Sequence, residues 1–557
     1  LNGTGVDDID INTLEANATG SLSITDTANI IDQLGNFTLG NALTVEAKGR
    51  TTGMALTGDI EATSVTLKTG YASGVGPLAL GSFDITSTSG NIELQGEGIS
   101  ANSDSVISSA GTVTLRGWDY SNNSFSTSQT GDLTVQGDII AQSSSDSAVS
   151  ILGTNAVTLG NITAGTSGSR GGLVLGSSTS DHRFEVRGDI QQYAGTSILI
   201  SEVTARQTTG SNGIDLSNAG NEIDELGYIY RRGPLTVVDS ANGLTLVSRS
   251  VDGTDNNRAL LKTPGKLALE GHDIDGSEIQ LIAGAGLASA TDIAIDGTFG
   301  IDADGGTGNL VLNANGKSID LDGRLRAIIS NDRVILANVH NAALGQILVS
   351  TTSGTIELGQ ESQPSSVLSA VGDGATGTIT LSGSDLWVTD QIEFPDSTLV
   401  TLTGTGDNSG LTFTITGTSS DGSALEDTVV GANDGTAVSN YFFDTVSSIT
   451  IAGGSTTGSL AIGNGRPISG NVTQNTSSLQ GQDLTGAVDG SVTLTNTNLI
   501  DEIEGFRADL GFDLNNQNSL TVNNDITAVD GGIRIAGTSS NDLTVADGVS
   551  LTADTDS

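Results

Sequence analysis

The chain has 557 residues, 65 of them acidic against 21 basic, for a formal charge of −44, with 76 glycines, 3% aromatic residues and no cysteine. That charge repels nucleic acid and anionic membranes, and the missing cysteine excludes disulfide staples and thiolate metal sites. No stretch approaches the roughly 18 apolar residues that span a bilayer, so membrane insertion is not expected.

Taken in order, the predicted elements are short strands. The first organising phrase is Asn29-Ile30-Ile31-Asp32-Gln33-Leu34. It returns as Asn221-Glu222-Ile223-Asp224-Glu225-Leu226 and again as Asn498-Leu499-Ile500-Asp501-Glu502-Ile503. A Leu-Thr-Val strand follows each copy, at Leu43, Leu235 and Leu520, and in the first two the offset from Asn is 14 residues. The first two copies lie 192 residues apart and the last two 277, so 85 extra residues entered the later stretch. A long-period repeat wrapped around short strands predicts a solenoid in which no coil buries its apolar face alone. Leu34, Leu226 and Ile503 are then expected at equivalent interior positions.

Between the copies run triplets with an apolar residue at each end, beginning at Leu43, Val65, Ile92, Val113, Leu133, Val157, Leu173, Leu244, Leu267, Ile293, Ile356, Ile379 and Val492. Alternation with period two puts Leu, Ile and Val on one face and Thr or Glu on the other. A spacing near 20 residues gives about 24 coils at roughly 4.8 Å each. Many triplets are followed by a corner: Gly58-Asp59-Ile60, Gly137-Asp138-Ile139, Gly188-Asp189-Ile190, and the variants Gly271-His272-Asp273-Ile274 and Asn523-Asn524-Asp525-Ile526. Glycine is expected to supply positive φ there and aspartate to cap exposed amides. Residues 391–467 break the pattern with longer strands and with Phe394, Phe413, Phe442 and Phe443. This is the pattern of a small antiparallel sandwich inserted into one coil. The expected fold is all-β: a right-handed parallel β-helix over 1–390 and 468–557, with an inserted β-sandwich at 391–467.

The strings Asn-x-Ile-Asp-x-Leu-Gly and Leu-Thr-Val-x-Gly-Asp-Ile resemble the repeats of filamentous-haemagglutinin-like exoproteins. The stretch with Leu411-Thr412-Phe413-Thr414-Ile415 and Tyr441-Phe442-Phe443 resembles a small β-sandwich of phage structural proteins. The first resemblance implies a secreted β-helix at a cell surface, the second a virion fibre. Neither carries catalytic residues across.

The residues that bear chemistry are few. His182, His272 and His340 stand in different coils without metal-ligand spacing. Arg187-Gly188-Asp189 spells an integrin-type tripeptide, but it coincides with a Gly-Asp-Ile corner. Asp302, Asp304 and Asn309 offer hard oxygen donors in a glycine-flexible loop and are the candidate calcium ligands; no other cofactor is expected. Tyr228, Tyr230, Arg231 and Arg232 form an aromatic-basic cluster suited to a lateral contact or a glycan. No catalytic set stands out. The reading is a non-enzymatic extracellular fibrous protein, an adhesin or a filament or stalk building block. Its expected partners are copies stacked end to end or a longer chain, together with a glycan or cell-surface receptor. A phage tail-fibre or tailspike-like protein and a polysaccharide-cleaving β-helix are the alternatives.

Overall fold

The computed structural model describes residues 10–554, apart from 26–28, 48–52, 70–75, 118–130, 177–184, 242, 249–250, 254–257, 271, 273, 298–299, 304–308, 328–332, 380–385, 389–390, 419–423, 440, 442, 467, 476 and 539. Among the described residues every regular element is a β-strand. The fold is a parallel β-solenoid of about 19 turns with small antiparallel sheets. Fewer turns form than the spacing of triplets suggests, for two reasons. Side chains that bridge neighbouring coils link residues 20 to 25 apart, and a long segment leaves the solenoid altogether. The chain divides into two units, Leu1–Ile279 with Phe299–Gly306, and Gln280–Thr298 with Thr307–Ser557.

In the first unit the interior is built from in-register columns. Leu43 stacks in turn on Val65, Ile92, Val113, Val149, Leu173, Val203 and Leu226, one residue per coil. All of these side chains are fully buried. Each contributes about 1.5–3 kcal/mol by leaving water, which a lone coil with both faces open would forfeit. A second column runs from Met54, on the strand that pairs Leu56 with Leu34, through Leu78, Ile99, Leu133, Val157, Ile190 and Ile214 to Leu235.

The repeated phrase forms the strands Ile30–Leu39 and Glu222–Arg231 and lies within Val492–Ala508. Leu34, Leu226 and Ile503 are all buried, as expected. Each is followed by the same register slip, so that the next stacked residues are Phe37, Ile229 and Phe506, three positions on instead of two. An extra residue bends the strand, and its two halves then feed two separate strands of the next coil. The equivalence is local. Leu226 lies in the column of Leu43, whereas the face of Leu34 leads to the strand of Leu235, so the second copy sits on a different face. The third copy also corrects the strand assignment. Phe512, 14 residues after Asn498, takes the place of Leu43 and Leu235, pairing with Val492 and opening the strand Phe512–Asn516. Leu520 belongs to the following strand.

The Asn that begins the phrase is an interior cap. Asn221 is buried, accepts a hydrogen bond from the Ile198 N–H at 2.9 Å and donates to the Leu216 carbonyl at 3.0 Å. Asn498 accepts from the Leu479 N–H at 2.9 Å and donates to the Leu494 carbonyl at 2.9 Å. Gln192 and Gln474 donate to the two Asn carbonyls at 2.8 and 2.7 Å. An amide is used because it satisfies an N–H and a C=O together where neither reaches water.

Asp at the Gly-Asp-Ile corners caps an amide one coil on: Asp59 accepts from Asp84 N–H, Asp189 from Asn212 N–H and Asp525 from Ser550 N–H, at 2.8–3.0 Å. The glycines do something other than expected. None of Gly58, Gly137 and Gly188 has positive φ. Each is small because the coil beneath is close: a Cβ would stand 2.5 Å from the Asn36 side chain, 2.1 Å from the Ser105 carbonyl and 3.0 Å from the Asn155 carbonyl, respectively.

In the second unit the column Leu310, Val334, Ile356 jumps 128 residues to Leu484 and continues through Ile503 to Val522. The intervening segment forms two antiparallel sheets. One holds Gln360–Val371, Leu460–Arg466, Val400–Gly404 and Thr436–Val438; the other is built on Phe443–Ala452, Thr412–Thr418 and Ala424–Val430. They enclose one core that includes Phe394, Phe413 and Phe443; Phe442 lies outside the described residues. Antiparallel pairing starts at Gln360, upstream of Gln391, because Gln360–Val371 pairs with Leu460–Arg466. Ile379, grouped above with the solenoid triplets, pairs with Ile449 in this module. The module rests on the solenoid through a separate small cluster: Leu399 packs on Val311, Ile335 and Ala337, with Val438 beside it.

Candidate functional site

A cluster of three carboxylates in the second unit grows from the third phrase. Strands Leu479–Val488 and Val492–Ala508 lie side by side and pair Asp483 with Glu502. Leu484 and Ile503 point inward, so their neighbours Asp483 and Glu502 face outward. The register slip after Ile503 leaves Glu504 next to them. Carboxylate oxygens of Asp483, Glu502 and Glu504 all lie within 4.8 Å of one another. Asn523 donates to Glu502 and to Glu504 at 2.6 Å, and Asn524 donates to Glu504 at 3.1 Å. One oxygen of Asp483 receives the Thr355 hydroxyl at 3.4 Å; the other is buried with no hydrogen-bond partner among the described residues. Burial, then the charges of Glu504 and Glu502, push Asp483 up to about 6. Three carboxylates this close are relieved by a shared proton or by a hard divalent cation. The signal was present in the sequence as acids one coil apart, but it is visible only once the coil period is known.

The first unit has a counterpart. Glu202 pairs with Glu225 in the same place relative to the phrase. Burial raises the pKa of Glu202, with Asp146 and Glu225 adding to it. Burial also raises Glu225, helped by Asp224, Glu270 and Asp146. Arg170 bonds Glu222 and lies 3.5 Å from Asp224, both on the same strand as Glu225.

The aromatic-basic cluster is only partly assembled. Tyr228 and Tyr230 are half-buried, and Tyr230 lies under the guanidinium of Arg206 at 5.0 Å and of Arg232 at 6.0 Å. Arg231 is not part of that surface. It follows Tyr230 on the inward phase of the strand, is fully buried, and donates to the carbonyls of Gly233 and Asp275 at 2.7 and 2.8 Å. Sequence proximity suggested a patch; strand alternation turns one of its members into a corner brace.

Of the calcium candidates, Asp304 lies outside the described residues, the backbone at Asp302 pairs with Asp275, and Asn309 opens the strand Asn309–Leu321. His182 is also outside them, and His340 contacts the Ser469 hydroxyl at 3.1 Å. In the Arg187-Gly188-Asp189 tripeptide, both carboxylate oxygens of Asp189 are engaged by Asn212, at 2.9 and 2.7 Å.

No protein-family model matches the chain, and no curated protein matches it. Among solved structures, the enzymatically active domain of bacteriophage CBA120 tailspike protein 4 is similar over 79% of this chain and 63% of its own, at 12% identity and a TM-score of 0.17. A likeness that slight carries no functional argument. The class that the fold defines is an acidic parallel β-solenoid bearing a docked antiparallel module.

Proposed function

We propose that this is a non-enzymatic fibrous protein that works outside the cell, in adhesion or as part of a stalk or filament, with the solenoid as scaffold and the sandwich as the displayed module. The observation that carries the reading is the seat of the module. Val311 and Ile335 are apolar residues at neighbouring coils, outside the inner column, and Leu399 covers them. A module that is merely tethered needs no such seat. Its cover supports a scaffold that holds its module at a set place. The polar inventory agrees, since Asp59, Asp189 and Asp525 bond the next coil. The resemblance to haemagglutinin-like repeats and the −44 charge suit an exposed surface protein.

The test is immunogold labelling of intact producing cells or particles with antibody raised against residues 360–466. Label on the outer surface is expected; label confined to the cell interior overturns the reading. A polysaccharide-cleaving role is the second reading, favoured by the raised Asp483 beside Glu502 and Glu504, since glycosidases use one protonated and one ionised carboxyl. Release of reducing ends from a polysaccharide panel, abolished by Asp483→Asn, would establish it instead.

A further inference from the structure

The second unit contains a cavity of about 400 Å³ beside the start of the antiparallel module, walled by Arg333, Glu357, Gln360, Phe506, Arg507 and Asp525. Its size falls in the range of small-molecule sites. Its composition differs from the rest of the surface in being nearly balanced in charge. Arg333 pairs with Glu357, which is 3% exposed. Arg507 pairs with Asp509 at 2.7 Å, and Asp525 accepts the Ser550 N–H at 2.8 Å. Phe506 adds an apolar wall and is held in place by Phe512, ring centre to ring centre 4.8 Å. The side-chain oxygen of Gln360 is buried and has no hydrogen-bond donor among the described residues. A buried acceptor left in that state is costly and calls for a donor.

We propose that this cavity binds one unit of a neutral saccharide. The chemistry selects it by elimination. An anion meets guanidinium groups that already have carboxylate partners, within a chain of charge −44. A cation meets two arginines. A neutral polyol can donate a hydroxyl to the Gln360 oxygen, accept from the arginines and donate to the carboxylates. The site is created by the insertion, because Gln360 is the first residue of the strand that leaves the solenoid and Arg507 lies beyond the point of return. This inference stands independently of the surface-scaffold role.

The experiment is saturation-transfer NMR and calorimetry of the full chain with D-glucose, D-galactose, D-mannose and N-acetylglucosamine. At least one is expected to saturate with Kd on the order of 1 mM, the range that about twelve heavy atoms support. Gln360→Leu should weaken that sugar ~10-fold, the effect of one neutral hydrogen bond. The bound sugar should also slow amide exchange at Gly486 and Phe506 in the unmodified chain, a readout that does not depend on the variant folding. Failure of all four sugars to bind at tens of millimolar overturns the proposal. So does binding that leaves those amides unchanged, or binding that a folded Gln360→Leu chain retains in full; each would mean the cavity is filled by water alone.

Discussion

The two units carry the same phrase and treat the carboxylates around it differently. In the first, Asn221 caps one coil and the next rung is Asp239, whose carboxylate accepts from the Ile223 and Ala241 N–H groups at 3.1 and 3.0 Å and from the Thr263 hydroxyl at 2.8 Å. In the second, Asn498 caps the coil and the next rung is Asn516, which accepts from the Ile500 N–H at 2.8 Å and donates to the carbonyls of Ile500 and Asn518 at 2.8 and 3.1 Å. Outside the rungs, Arg170 stands by the acids of the first unit, and the amides of Asn523 and Asn524 stand by those of the second. The first phrase position admits only an amide, since it must donate and accept. The next admits a carboxylate or an amide, depending on whether its second oxygen site faces a hydroxyl or a carbonyl.

Removing the shared element should do the most damage. Asn221→Ala and Asn498→Ala each strand an N–H, a carbonyl and a glutamine, and each is expected to destabilise its own unit by on the order of 4 kcal/mol. Amide exchange at Ile198 and at Leu479, respectively, is the local readout. Unchanged protection at either would mean that the two caps are not the same device.

Exchanging the rung chemistry should do less. Asn516→Asp turns a donor into a carboxylate oxygen facing two carbonyls, with an expected loss of about 2 kcal/mol at neutral pH. The new carboxyl would have a raised pKa, so the folded state would hold its proton more tightly than the unfolded state. The deficit should therefore shrink as pH falls towards 5. A deficit that persists at low pH points to packing rather than charge.

The smallest effect concerns the outward acids. Asp483 is raised to about 6 from 3.8 by burial and then by Glu504 and Glu502. The folded chain thus binds this proton more tightly than the unfolded chain between those two values, and its stability should fall as pH rises through that window. Because the group is only partly buried, the effect is about 1 kcal/mol after screening. Asp483→Asn should raise the melting temperature at pH 8 and leave it unchanged at pH 4. An equal shift at both pH values would remove charge as the cause.

The columns were legible in the sequence because period-two alternation is a property of neighbours: Leu43-Thr44-Val45 and Val65-Thr66-Leu67 declare their inward residues unaided. The phrase was legible as a repeat, although its register slip was not, since nothing in Gly35-Asn36 or Gly227-Tyr228 marks an extra residue. In the third copy the Leu-Thr-Val string points to Leu520, whereas the 14-residue spacing points to Phe512, and the geometry follows the spacing. Arg231 shows a related conflict: its charge suggests the outside while strand alternation requires the inside. Glycine at the corners was correctly located and wrongly explained, as clearance from a neighbouring coil cannot be seen without that coil. The carboxylate trio and the cavity depend on residues one coil or one insertion apart, and only stacking brings them together.

The seat of the module also matters when the chain is pulled. Val311 and Ile335 belong to the strands Asn309–Leu321 and Arg333–Leu344, which pair directly with one another. Leu399 shares one buried cluster with both, so the module rivets two rungs of the ladder together. Under tension these two rungs should share load and give way together. The insertion, apart from anything it displays, thereby clamps two adjacent rungs of the stack.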